Sequence, residues 1–257
     1  SQNRGLAYNP DEEAVYAEVD LDRAKAIADE FNALPEMNLD DPETREAYRA
    51  MADETVEQYE FLEQSGVKFV PWAGVGEPYI NSQEMIEDVE NNNRLFYFKT
   101  INPQDPETFS EDVAQYIEDG HPLFEEYGDP VPDSNGDMHQ QNVNDLFRAV
   151  HDYFGHAKEG FQFGPRGEEN AWRVHSQMYS PMARRAMTTE TRGQNSWVNF
   201  GPHMRREDGT LPVAGEPDFV PLSKRRFADQ KVALLPEQYA MLDEEVEAGA
   251  TALESRR

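Results

Sequence analysis

Six consecutive residues carry three side chains able to bind a metal or move a proton: His151-Asp152-Tyr153-Phe154-Gly155-His156. Imidazole changes charge near neutral pH and is the commonest protein metal ligand, and carboxylates serve as anionic ligands or general bases. Downstream stand Glu168, Glu169 and His175, then Thr188-Thr189-Glu190-Thr191-Arg192-Gly193-Gln194. The five-residue step from His151 to His156 separates their directions by about 140° on an ideal α-helix, so a straight helix does not converge them on one ion. A helix that ends or bulges between them does, and Gly155 tolerates the required backbone. On an undistorted helix the facing pair is instead Asp152 and His156, at i and i+4.

The remaining polar residues each have a functional and a structural reading. Glu168, Trp172 and His175 share a helical face. His175 fits a third imidazole or a proton shuttle, and Glu168 an outer acceptor that orients a ligand histidine. Equally, both fit a packed helix bonded to backbone or water. Glu190 fits either a carboxylate ligand or an acid at a helix start, favoured by the dipole. Arg192 and Gln194 suit a substrate carboxylate or phosphate, because a guanidinium grips such groups with two prongs. The alternative for Arg192 is a salt bridge to the acidic half of the chain. Tyr153, Phe154, Trp172, Tyr179 and Trp197 line either a pocket or the core. His121, His139 and His203 fall in expected loops and receive no role.

These side chains need helices to hold them. Val143, Leu146, Phe147, Val150 and Phe154 recur with helical period and predict a helix over about 141–157. A long helix is expected over Glu168 to Met187, interrupted at Ser180-Pro181, and a further one from Thr188 or Thr189 through Trp197. Before them, Asp20 caps a helix over Leu21 to Leu34, and Asp41 caps one with Pro42 at its first position that stops at Gly66. Ser82 caps a third, through Val89, and Pro106 to Ile117 reads as another. Lys68 to Trp72 and Arg94 to Thr100 read as strands. Gly120 to Gln140 and Gly201 to Lys224 read as loop, and Pro236 opens a last helix to about Glu247. The expected fold is mainly α with a small β component (α+β), a single compact helical domain around the His-rich helix.

Charge divides the chain more sharply than any linker does. Of 51 acidic and 23 basic residues, 34 acidic and 8 basic lie in 1–140, and 17 acidic and 15 basic in 141–257. An acidic helical part (1–140) is therefore expected to precede the part bearing the metal-site helices (141–257), within one continuous domain. The net charge of −28 argues for a solvated acidic surface or one that meets a basic partner. Arg184-Arg185, Arg205-Arg206 and Lys224-Arg225-Arg226 are too short to form a nucleic-acid patch. The absence of cysteine excludes disulfides, thiolate catalysis and cysteine-ligated metals. No apolar run reaches 18 residues and no signal-peptide pattern stands at Ser1 to Asp20, so neither a membrane span nor Sec export is expected. Dinucleotide, phosphate-loop and nucleophile-elbow motifs are absent.

Taken together, His-acid-x-x-Gly-His and the later Thr-Thr-Glu-Thr resemble the iron site of the pterin-dependent aromatic amino acid hydroxylases, over roughly Leu146 to Gln194. The resemblance implies His151, His156 and Glu190 as ligands of Fe(II) or another divalent metal, with open positions for dioxygen and a small-molecule substrate. It implies an oxygen-dependent hydroxylation; the residues themselves add Asp152, His175 and Arg192 as catalytic candidates. Asp152 stands where that family carries Glu, and no pterin-binding segment is recognisable, so the metal is implied and pterin is not. A second resemblance covers Asp41 to Gly66, Asn91 to Thr100, Asn144 to Pro202 and Phe227 to Pro236. These segments are similar to a module of bacteriophage-encoded polyproteins and virion-associated proteins. That likeness implies phage proteins as partners, a location in the host cytoplasm or the virion, and an alternative role as a non-catalytic particle component.

Overall fold

The computed structural model describes residues 16–74, 76–101, 111–243 and 245–246. Of these, 54% are helical and 11% lie in strands, which makes the chain mainly α with a small β component. They fall into two compact units, residues 1–47 with 164–257 and residues 48–163.

The first unit opens with α1 (Leu21–Ala33), capped by the Asp20 carboxylate, which accepts from the amides of Asp22 and Arg23. The start of α2 (Pro42–Gln64) is held the same way, with Asp41 accepting from the amide and hydroxyl of Thr44 at 2.8 Å each. Both caps satisfy amides that a helix start leaves without intrahelical partners. The unit continues through α6 (Pro165–His175), α7 (Pro181–Thr188) and α8 (Gln194–Phe200). Pro181 cannot continue a helix from the preceding turn, so the expected long helix is two helices, with the Ser180 hydroxyl capping the second. Ile27, Phe31, Trp197, Leu235 and Tyr239 form one buried cluster, and Ala24, Ala28 and Phe200 another. Residues 227–235 contribute a single parallel bridge, Met37 to Val232.

In the second unit, β1 (Lys68–Trp72) pairs in parallel with β2 (Arg94–Phe98), the crossover being α3 (Ser82–Asn92). Asn81, not Ser82, caps α3, accepting from the Glu84 amide; Ser82 is already inside the helix and bonds the Gly160 carbonyl. Next come α4 (Glu111–Glu118) and the antiparallel pair β3 (Glu126–Pro132) and β4 (Met138–Asn142). The expected loop over Gly120 to Gln140 is thus mostly a hairpin, and His139 lies on a strand. Pro130 and Pro132 obscured it, yet the pairing runs irregularly between Tyr127 and Val131, which accommodates Pro130, while Pro132 ends the strand opposite Met138. The start expected at Pro106 for α4 lies outside the described residues.

Helix α5 (Val143–His151) follows β4 directly. Its Asn142–Asp145 capping box is reinforced from outside, because Asp145 also accepts from the Thr100 amide at 2.7 Å and pairs with His139 Nε2 at 2.7 Å. Val143, Leu146, Phe147 and Val150 are buried as their period demands. In the first unit, the last helix expected from Pro236 begins as one 3-10 turn, Glu237–Tyr239.

Candidate metal centre

Helix α5 does not stop at His151. It continues as a π-helical segment over Asp152–Ala157, in which the Lys158 amide donates to the Tyr153 carbonyl, five residues back, at 2.9 Å. A π-helix closes its bonds at i→i+5, so residues five apart lie nearly above one another. The two histidines are therefore neighbours: their ring centroids are 5.4 Å apart and the planes 80° to one another. Gly155 lies buried within the same segment.

The His156 ring is 1% exposed, and its Nδ1 lies 2.8 Å from the Phe161 carbonyl. A carbonyl can only accept, so Nδ1 carries the proton and Nε2 presents the lone pair. A ring nitrogen fixed on a backbone carbonyl is the usual support of a metal-binding imidazole, setting its tautomer and raising its basicity. His151 is 9% exposed and packs beside Phe147, with 5.9 Å between centroids, while Phe163 stands edge-on to His156 at 5.0 Å. Phe154 is buried, whereas Asp152 and Tyr153 are part-exposed. The donor set and the apolar surround both suit a divalent ion.

Glu168 stands in the first turn of α6. Taking one ligand atom each, His151, His156 and Glu168 lie within 4.8 Å of one another and could hold a metal ion. Glu168, read from the sequence as an outer acceptor, is thus the carboxylate of this group.

Glu190 lies in a second π-helical segment, Thr189–Gly193, continuous with α8. It is buried and accepts from Gln194 Nε2 at 3.0 Å and from Gln230 Nε2 at 2.7 and 2.8 Å. Arg192 forms a two-pronged pair with Glu169, at 3.0 and 2.5 Å, donates to the Tyr239 carbonyl at 2.8 Å and lies 3.9 Å over the Trp172 ring. Burial pushes its guanidinium pKa down, against the pull of Glu169. Its prongs are occupied by the protein. Trp172 donates to the Thr188 hydroxyl at 3.1 Å, and His175 is fully buried with Tyr179 edge-on at 5.1 Å. Trp172, Tyr179 and Trp197 are all buried.

Gln194 was visible as the i+4 neighbour of Glu190. Gln230, forty residues away in irregular chain, carried no signal. The His139–Asp145 pair was hidden behind the loop reading of β4. A pocket of about 460 Å³ runs along β4, and its ionisable lining includes His139 and the buried Lys99–Asp133 ion pair, 2.5 Å long. Both are engaged in structural pairs.

No protein-family model matches this chain, and neither a curated protein nor a solved structure matches it. Among the described residues, no helix is long and apolar enough to cross a membrane.

Proposed function

We propose that this chain is a mononuclear non-heme metalloprotein that binds Fe(II) through His151, His156 and Glu168 and serves an oxygen-dependent hydroxylation of a small substrate. The observation that carries the reading is the π-helical turn. It places two imidazoles side by side at a spacing that an α-helix would splay, and segments of this kind occur frequently at functional sites. Two neutral imidazoles and one carboxylate form the ligand set of the oxygenase facial triad, which suits iron and leaves coordination positions open. The histidine half of the likeness to the hydroxylase iron site, His151 to His156, supports iron over zinc, while Glu168 takes the carboxylate position that the likeness gave to Glu190. When bound, the metal would supply the site for dioxygen activation.

The residues of the chain supply the rest. The Phe161 carbonyl holds the His156 ring in its Nδ1–H tautomer, so Nε2 would take an ion without a proton to displace. Phe147 and Phe163 restrict water around the pair. Asp152, next to His151 and part-exposed, is the candidate for proton exchange with bulk water.

The test is anaerobic reconstitution with Fe(II), followed by elemental mass spectrometry on the wild type and on His151→Ala, Glu168→Gln and Glu190→Gln. About one iron per chain, lost in His151→Ala and Glu168→Gln but kept in Glu190→Gln, supports the assignment. Loss in Glu190→Gln with retention in Glu168→Gln would transfer the carboxylate role to Glu190. Iron content unaffected by all three changes would end the proposal. The likeness to phage modules adds that the protein works in or beside a particle, for which the measurement is its copy number in purified virions.

A further inference from the structure

The first unit contains a second feature that points to a ligand. A pocket of about 320 Å³ is lined by the polar side chains of Asn199, His203, Arg205, Arg206, Asp218 and Arg225, the Asp218 carboxylate being paired with Arg206, and on its apolar side by residues that include Phe200, Met204 and Phe219. Most guanidinium groups nearby are neutralised. Arg205 is paired two-pronged with Asp29 and bonds the carbonyls of Phe200 and Lys25, and Arg206 is paired with Glu216 and Asp218. Arg225 differs. Its Nε donates to the Val220 carbonyl at 3.1 Å and its Nη1 to the Asn199 side-chain oxygen, and no carboxylate among the described residues pairs with it.

That is an unusual arrangement for a chain with a net charge of −28. An acidic protein has carboxylates to spare for every cation, and a part-buried charge without a counter-ion is costly. Arg225 is part-buried, and burial alone pushes its pKa down. Two neutral oxygens fix the plane of the guanidinium, so its remaining N–H groups keep a set direction and can meet an oxyanion two-pronged. His203, on the same pocket wall, lies tilted at 34° against Trp197 with 4.1 Å between ring centroids, and its pKa is lowered by desolvation and by Arg226 and Arg205. A neutral imidazole can donate to an anion without adding a charge that needs compensation.

We propose that this pocket binds a small organic anion, a carboxylate or phosphate head on an apolar body, with Arg225 as the oxyanion partner. The aromatic and methionine side chains take the apolar body, and the volume is that of a small ring compound. The inference is independent of the metal centre and stands if that assignment fails.

Calorimetric titration of the full chain at fixed ionic strength tests it, with phenyl phosphate, benzoate and uncharged phenol as probes. Saturable binding of one or both anions but not phenol is expected, weakened at least tenfold in Arg225→Gln and unchanged in Arg226→Gln. Met204→Trp, which fills the pocket while keeping Arg225, should also abolish binding, and it decides the matter if Arg225→Gln does not fold. Absence of saturable anion binding by the wild type overturns the proposal. So does binding unaffected by Arg225→Gln, or by Met204→Trp.

Discussion

The imidazoles of His151 and His156 meet edge to face at 5.4 Å although five residues separate them, because the helix that carries them changes from α to π between the two. The geometry is local, and its support is local too: the Phe161 carbonyl fixes one ring and Phe147 flanks the other. If this pair binds a metal, each histidine should contribute without holding the fold together. His156→Ala and His151→Ala are expected to lose metal while retaining helical circular dichroism. A change of His156 also leaves the buried Phe161 carbonyl without its donor, which costs about 1–3 kcal/mol. His156→Ala should therefore melt below the wild type. An unchanged melting temperature would mean that the bond to the Phe161 carbonyl contributes nothing.

The Asp145 carboxylate binds the start of α5 to its surroundings through three contacts: the amides of Asn142, within the capping box, and of Thr100, and the His139 ring. It is fully buried. Asp145→Ala keeps the Asn142 cap on the residue-145 amide but leaves the partners of a buried carboxylate unmatched, a loss of about 3–5 kcal/mol. Urea denaturation should show this. In a double-mutant cycle, His139→Ala should cost much less in the Asp145→Ala background than in the wild type. Strict additivity would mean that the 2.7 Å pair contributes nothing.

How legible all this was in the sequence depended on range. Asp20, Asp41 and the stripe Val143, Leu146, Phe147, Val150 act over three or four residues, and their helices fall where the pattern puts them. The β3–β4 hairpin was missed because its prolines and the Asn135-Gly136 turn resemble any loop, and its pairing is a contact across strands. The need for a distortion between His151 and His156 could be read from spacing, with Gly155 as the permissive residue. That the distortion is π-helical could not, since it depends on which carbonyl the Lys158 amide finds. The role of Glu168 was obscured because helix-face arithmetic relates it only to Trp172 and His175.

Acid should test the Lys99–Asp133 pair. Burial alone would raise the Asp133 carboxyl pKa, but the Lys99 ammonium and the amides of Asn135 and Asp137 outweigh it and hold it below the ordinary value of 3.8. A depressed carboxylate stabilises the fold above its unfolded pKa, and that contribution is lost as pH falls through the folded value. Wild-type stability should drop below about pH 4, and Asp133→Asn should flatten that drop while lowering stability at pH 7. A slope unchanged in the variant would dissociate Asp133 from acid unfolding.

His121 predicts a pH dependence at higher values. It is 1% exposed among Tyr48, Tyr116 and Phe124, and burial pushes its pKa down to about 3. The Leu123 amide donates to Nδ1 at 3.1 Å, so the ring is neutral with its proton on Nε2. The unfolded chain takes up a proton near 6.5 and the folded chain does not, so stability falls as pH drops from about 6.5 towards 3, by about 1.4 kcal/mol for each pH unit. His121→Phe should remove most of that slope between pH 6 and 4. An undiminished slope in this variant would assign it to other groups.

Gly193 reverses the ordinary preference of a helix. Replacing a helical glycine by alanine usually stabilises by about 1 kcal/mol, because the unfolded chain loses freedom. Here an added Cβ would stand 2.9 Å from Phe31 Cδ2 and 3.0 Å from Leu235 Cδ1. Both partners belong to the buried cluster of Ile27, Phe31, Trp197, Leu235 and Tyr239, and close-packed interiors leave little room for a ring to shift. Overpacking of this kind costs about 1–3 kcal/mol, which exceeds the entropic gain. Gly193→Ala is therefore expected to lower the midpoint of thermal unfolding, and Gly193→Ala with Phe31→Leu to recover part of the loss. A single variant more stable than the wild type would show that the contact between α1 and the Thr189–Gly193 segment is looser than these distances require.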